Sequence, residues 1–185
     1  MLSGSHVGER QIGVKVLRAI LHMIDQASNW SGILVSWVGA ALILSVTYEV
    51  IARYVFTAPT IWSYDLSYML GGTLIIIAGA HVLLHREHLR VDIVSKRFPA
   101  KVKLISDLFF AAVFFFPLTI VLVNYSAKWA WRAFIRGETS LVGVWAPVLW
   151  PFRMMILIGV SLLLLQGLAN FLRDVFLLVR GKSCD

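Results

Sequence analysis

The 185-residue chain is 59% hydrophobic, with a mean hydropathy of +0.80 and a formal net charge of +7. A soluble domain of this size cannot bury so much apolar side chain, so the composition predicts an integral membrane protein. The basic residues cluster beside apolar runs, which indicates membrane lipids, and no nucleic acid, as charged partners. The single cysteine, Cys184, rules out an intrachain disulfide and a cysteine-based metal cluster.

Residues 1–29 are expected to form a cytoplasmic N-terminus that carries an amphipathic helix. Apolar residues recur there at helical spacing: Ile12, Val16, Leu17, Ile20, Leu21 and Ile24. This pattern predicts a helix that lies in the membrane interface, with a helix packed on a partner protein as the alternative. Ser28 or Asn29 is expected to cap the spanning helix that follows.

Residues 30–178 are expected to form an all-α transmembrane domain of four helices, and residues 179–185 a cytoplasmic tail. Each apolar run approaches the roughly 20 residues that a helix needs to cross a bilayer. The runs predict spans at 30–54 and 61–85, a third from Leu104 to Trp131 or beyond, and a fourth from Pro147 to about Leu168. Pro117 lies inside the third run, where a spanning helix tolerates a proline kink.

Lysine and arginine are distributed unevenly between the two ends of these helices. One end carries twelve: Arg10, Lys15, Arg18, Arg86, Arg90, Lys96, Arg97, Lys101, Lys103, Arg173, Arg180 and Lys182. The other end carries five: Arg53, Lys128, Arg132, Arg136 and Arg153. The positive-inside rule therefore predicts that both termini are cytoplasmic.

The short connector between the first two spans carries three charged residues at the membrane rim. Glu49 and Arg53 are four residues apart with the acid first, the favourable order for a helical ion pair. Asp65 begins the returning helix and could reach Arg53 from the other side. Because charge at a membrane helix end is unfavourable unless paired, the three residues predict a structural clamp that closes the hairpin. An ion or proton site is the alternative.

The second span contains Gly71, Gly72 and Gly79, which predict close helix packing. Gly72 and Gly79 are seven residues apart, so they share one helix face.

Few residues suggest chemistry. His81, His85 and His88 could share a helix face, but they sit at one helix end, where histidines often bond carbonyl groups, and we expect no metal site. The other spans contain no histidine, so a haem-binding bundle is not expected. The sequence has no catalytic triad, zinc-protease motif or phosphate loop, so we expect neither an enzyme nor a cofactor. The helix middles are apolar, which favours a partner or scaffold subunit.

Several motifs together resemble a known family. The pattern Glu-Val-x-x-Arg-Tyr-Val-Phe at 49–56 is followed by Pro59 and Trp62, and the run His88-Leu-Arg-Val-Asp92 comes after the second span. The run Gly137-Glu138-Thr-Ser140 precedes the fourth span, which contains Trp150, Gly159 and Gln166. In order and spacing these motifs resemble the small membrane subunit of tripartite ATP-independent periplasmic (TRAP) transporters, the DctQ-like family. Tyr64-Asp65 departs from the pattern, because relatives often carry two acidic residues there.

The resemblance implies a small permease subunit in a bacterial inner-membrane complex. A periplasmic binding protein would capture an organic acid, and a large multi-spanning permease subunit would move it with sodium. The small subunit would extend the scaffold of the large one without binding substrate, and the face of Gly72 and Gly79 is a candidate contact with it. The alternatives are a four-helix membrane anchor of a redox complex, which needs haem or quinone ligands, and a small channel, which needs a polar helix face.

Overall fold

The computed structural model describes residues 5–84, 100–141 and 144–180. Its helices are α1 (Ser5–Tyr54), α2 (Ser63–Leu84), α3 (Ala100–Phe110), α4 (Phe116–Arg136) and α5 (Trp150–Arg180). Four helical segments of the described chain are long and apolar enough to cross a membrane: Ala19–Tyr54, Ser63–Leu84, Leu104–Arg136 and Trp150–Leu178. The prediction of an all-α protein with four transmembrane helices is therefore confirmed.

The first helix differs from the prediction at its N-terminal side. α1 runs without a break for 50 residues, about 75 Å at the helical rise of 1.5 Å per residue. Ser28 and Asn29 lie inside it, so the prediction that one of them caps a new helix is wrong. The Ser28 hydroxyl donates to the side chain of Gln166 at 2.8 Å, which gives that hydroxyl a tertiary partner in place of a capping role. The interfacial location of the N-terminal part stays a prediction.

The spanning helices pack as a row in the order α1, α2, α5, α4. α2 and α5 occupy the middle of the row and are the most buried, whereas α1 and the α3–α4 segment are largely exposed. α1 also contacts α5. We call the end where α1 joins α2 and α4 joins α5 the connector end, and the opposite end, where α2 and α5 finish, the terminal end.

The third spanning segment contains a wider helical turn beside its proline. Residues Ala111–Phe115 form a π-helical turn between α3 and α4, and the Phe116 amide donates to the carbonyl of Ala111. Pro117 follows at once; its ring lacks an N–H group and crowds the carbonyl four residues earlier, so a regular α-turn fits poorly there. The segment continues to Arg136, in agreement with the prediction that it extends past Lys128.

Small residues bring α2 and α5 together. A Cβ atom placed on Gly72 would lie 2.9 Å from Cζ of Phe152, and one on Gly159 would lie 2.7 Å from Cγ2 of Ile76. At such distances an added Cβ atom would force the neighbouring side chain to shift, so these glycines allow α2 and α5 to approach closely.

Candidate functional site

The Glu49–Arg53 pair closes the connector between α1 and α2. An Arg53 guanidinium nitrogen lies 2.5 Å from Oε1 of Glu49, as the four-residue spacing predicts. The other carboxylate oxygen accepts hydrogen bonds from the amide of Thr60, at 3.1 Å, and from its hydroxyl. The Glu49 side chain is only 12% exposed, whereas that of Arg53 is 56% exposed. Glu49 thus joins the last turns of α1 to the connector, while Arg53 remains largely open to its surroundings.

Asp65 belongs to a different contact from the one predicted. Its side chain is 1% exposed and accepts a hydrogen bond from the Ser140 hydroxyl at 2.7 Å. Its second oxygen has no hydrogen-bond partner in the described part of the chain. The prediction that Asp65 reaches Arg53 is therefore corrected: Asp65 faces the connector between α4 and α5, because its position in the first turn of α2 directs it toward the middle of the row.

The connector between α4 and α5 folds back on itself. Gly137 ends α4 in the left-handed conformation, with φ of 59°, which glycine adopts without strain. Thr139 and Val148 then form an antiparallel bridge. The Ser140 amide donates to the carbonyl of Pro147 at 2.8 Å, and the Leu149 amide donates to that of Glu138 at 2.9 Å. This backbone pairing holds the Ser140 hydroxyl against Asp65, so a family-motif residue meets a residue of the predicted clamp although they are 75 residues apart.

A buried arginine secures the same connector to α5. Arg153 is 6% exposed, and its guanidinium lies 2.5 Å from Oε2 of Glu138. The guanidinium carbon also sits 4.3 Å from the ring centre of Trp129, a cation–π geometry. The sequence predicted no partner for Arg153, although an arginine in the first turn of an apolar run is a signal for such a pair.

The terminal end holds a second polar cluster, which we call the terminal polar network: Asp25, Ser28, Gln166, Asn170 and Arg173. The Arg173 guanidinium bonds both carboxylate oxygens of Asp25, at 2.5 and 3.1 Å. The Gln166 side chain accepts from Ser28 and donates to Asp25 at 3.2 Å. This network fastens α1 to α5.

The same network reaches α2. The Asn170 amide donates to the main-chain carbonyl of Leu83 at 2.8 Å and is within 3.4 Å of Gln166. A ring nitrogen of His81 lies 3.2 Å from the Ser28 carbonyl. Three helices are therefore joined by this network, in which Ser28 and Gln166 are fully buried and Asp25 and Arg173 are partly exposed. The sequence offered one signal, the recurrence of polar residues at positions 166, 170 and 173 in an otherwise apolar helix.

Between the two polar ends, the hydroxyl groups of Thr119 and Ser45 form no hydrogen bond to another helix of the described chain. Thr119 donates to the carbonyl of Phe115 at 2.7 Å, the backbonding usual for hydroxyls in spanning helices. Ser45 is buried, and its hydroxyl has no partner among the residues that the structure describes.

Of the remaining predicted residues, one makes an aromatic contact and three lie in a part of the chain that the structure does not describe. Trp62 stacks on Tyr48 at 5.8 Å between ring centres. His85, His88 and Asp92 lie outside the described residues. Within the described ranges no three His, Cys, Asp or Glu side chains are grouped to hold a metal ion.

The three glycines of α2 do not share one environment. Gly72 and Gly79 both face α5 of the same chain, at Phe152 and Leu163. The prediction that this face packs on a separate large subunit is therefore wrong, because the chain covers the face itself. Gly71 faces open space, with no atom within 4 Å of a Cβ placed on it.

Comparison with known proteins gives a family match for this chain. The family model of tripartite ATP-independent periplasmic transporters, DctQ component, matches residues 42–177, which is well over half of the chain. A search of curated proteins finds no match. The matched range begins in the last third of α1 and includes Glu49, Asp65, Ser140 and Arg153. The chain therefore belongs to the DctQ component family of tripartite ATP-independent periplasmic transporters.

Proposed function

We propose that this chain is the small permease subunit that extends the scaffold of a large membrane subunit, and that the complex takes up an organic acid with sodium. A periplasmic binding protein would deliver the acid. Membership of the DctQ component family supports this role. The observation that carries it is the location of the polar groups: the described charged side chains of the spanning segments lie toward the two ends, and the middles are apolar.

A transport site for sodium and a carboxylate needs oxygen ligands and helix ends near the bilayer midplane. The hydroxyl groups toward the middle of the spanning segments are those of Ser36, Ser45, Thr47, Thr73, Thr119 and Ser161, and Ser36 donates to the carbonyl of Gly32 in its own helix. Thr119 already bonds within its own helix. We therefore expect the chain to move no substrate alone and to act by holding a rigid frame.

An open face of α2 supports a contact with the large subunit. Tyr64, Tyr68 and Ile75 are 63%, 54% and 72% exposed, and their spacing places them on one side of the helix. Gly71 lies on this same side and would allow close approach of another helix. This side, rather than that of Gly72, is the candidate contact in α2.

We also propose that the complex resides in the bacterial inner membrane with both termini of this chain cytoplasmic. The distribution of lysine and arginine, twelve against five, supports this orientation. A reporter active only in the periplasm should be active when fused after Gly137 and silent when fused after Lys96. The reverse pattern would refute the orientation.

The function is tested by reconstitution in liposomes with a sodium gradient and a loaded binding protein. We expect no uptake with this subunit alone or with the large subunit alone, and uptake when both are present. Uptake by this subunit alone would refute the scaffold role. Copurification with haem or quinone enzymes, in place of a large permease, would instead favour a redox anchor.

A further inference from the structure

Three basic side chains form an exposed stripe near the connector end of α4. Lys128, Arg132 and Arg136 recur every four residues and are all exposed. Successive members are offset by about 40° around the helix and rise about 6 Å each, so the stripe is about 12 Å long. Ser126, Ala130 and Ala133 are buried where α4 packs on α5, and Lys128 lies on roughly the opposite side of the helix. Arg132 and Arg136 lie progressively closer to the packed side, but both remain exposed.

No acidic side chain of the described chain neutralises this stripe. Three acids of the described residues lie at the connector end, and each is engaged elsewhere: Glu49 with Arg53, Glu138 with Arg153, and Asp65 with Ser140. Within α4, Nε of Arg132 donates to the carbonyl of Lys128 at 3.3 Å, which leaves its charge uncompensated. Three adjacent cations without counter-charge favour an external anion.

The stripe continues a face that is built for lipid. Leu118, Val121 and Tyr125 lie on the same side of α4, toward the membrane middle, and are 61%, 64% and 64% exposed. From Asp107 to Lys128 the chain rises about 32 Å, close to the thickness of the hydrocarbon layer, about 30 Å. The stripe then begins where the headgroup layer, about 5–8 Å deep on each side, is expected. Tyr125 lies at the boundary, where aromatic side chains are enriched.

We propose that Lys128, Arg132 and Arg136 bind the headgroup of an anionic phospholipid, with its acyl chains lying on the Leu118–Tyr125 face. Arginine matches the phosphodiester with paired N–H donors, and the lysine ammonium adds a point charge at the lower edge of the headgroup layer. The continuity of the cationic stripe with the apolar face selects a lipid over a soluble anion, because both parts of a lipid are satisfied together. This site depends only on the chain spanning a membrane, so it does not rest on the proposed transport function.

The test uses the full-length chain and native mass spectrometry in mixed micelles that contain phosphatidylglycerol and phosphatidylcholine. Wild-type protein should retain phosphatidylglycerol about tenfold or more over phosphatidylcholine at low salt, and less so at high salt. The K128Q/R132Q/R136Q variant should lose this preference. The charge-retaining K128R/R132K/R136K variant should keep it, and Arg53→Gln, which removes a paired cation at the same end, should leave it unchanged. Arg136→Gln alone should lose only part of it, which keeps the test open if the triple variant fails to fold.

Other outcomes would overturn the proposal. Equal retention of the two lipids by wild-type protein, or an unchanged preference in the triple glutamine variant, would show that the stripe is not a lipid site. Displacement of phosphatidylglycerol by millimolar inorganic phosphate would show that the stripe takes a soluble anion. If the triple glutamine variant instead loses only the capture of a soluble acidic protein, the stripe is a protein-docking surface and the lipid assignment is wrong.

Discussion

The connector end contains two arginine–glutamate ion pairs with the same N–O distance but different burial. The effect of burial on an ion pair can therefore be compared within one protein. Arg153 approaches Glu138 at 2.5 Å, and Arg53 approaches Glu49 at 2.5 Å. The Arg153 side chain is 8% exposed, whereas that of Arg53 is 56% exposed. We predict that Arg153→Ala destabilises the chain much more than Arg53→Ala.

The expected magnitudes follow from what each substitution leaves behind. Removing one partner of a buried pair costs about 3–5 kcal/mol. The Glu138 side chain is 32% exposed, so solvent reduces the cost of leaving it unpaired. The lost contact with Trp129 adds about 1 kcal/mol. We therefore expect about 3–4 kcal/mol for Arg153→Ala. For Arg53→Ala we expect about 0–1 kcal/mol, because an exposed pair contributes little and Glu49 keeps its hydrogen bonds from Thr60.

The measurement is the free energy of unfolding in mixed micelles, followed by tryptophan fluorescence during titration with a denaturing detergent. Arg153→Lys should fall between the two alanine variants, because it keeps the charge but not the planar fork. In a Glu138→Gln background, Arg153→Ala should cost less than in the wild type, since no carboxylate is left unpaired. Equal losses for Arg153→Ala and Arg53→Ala would refute the argument that burial decides the strength of these pairs.

Three further tests probe the packing and the polar contacts by the same unfolding measurement. Gly72→Leu should lose about 1–3 kcal/mol because α5 leaves no space for it, whereas Gly71→Leu, in open space, should lose far less; similar losses would contradict the assignment of the two faces. Gln166→Leu should lose about 1–3 kcal/mol, because it removes hydrogen-bond partners from the terminal polar network; an unchanged stability would show that the network is dispensable. Ser140→Ala should cost about 1.5–3 kcal/mol because it leaves the buried carboxylate of Asp65 without its donor, and Asp65→Asn in that background should recover part of the loss; no recovery would argue against an uncompensated charge.

The sequence predicts local features of this protein well. Four apolar runs predict the four spans, and the four-residue spacing of Glu49 and Arg53 predicts their ion pair. These features depend on helical geometry alone, since spacing along one helix determines which side chains share a face. The length of the third span follows in the same way, because its apolar pattern continues past Lys128.

Contacts between helices could not be predicted in the same way. Asp65 meets Ser140 only because a folded connector, 75 residues further along the chain, returns beside α2. Ser28 resembles a helix cap in isolation, yet its hydroxyl bonds Gln166, 138 residues away. A local pattern carries no information about contacts between residues so far apart in the chain. The sequence therefore shows which residues are polar but not which residues they bond.

The arrangement of the helices in a row could not be predicted from the sequence, for a related physical reason. In a soluble protein the apolar face of a helix marks its buried side, but in a membrane the sides facing lipid and facing other helices are both apolar. Periodicity therefore cannot distinguish a closed bundle from a row. What orders α1, α2 and α5 here are the exceptions to the apolar pattern, namely glycines such as Gly72 and Gly159 at the middle and buried polar side chains at the ends. Since most of these exceptions find partners within the chain, the apolar parts of the exposed sides of α1 and α4 need no polar partner, and either lipid or another apolar helix can cover them. The basic stripe of α4 is the part of these sides that requires an anion.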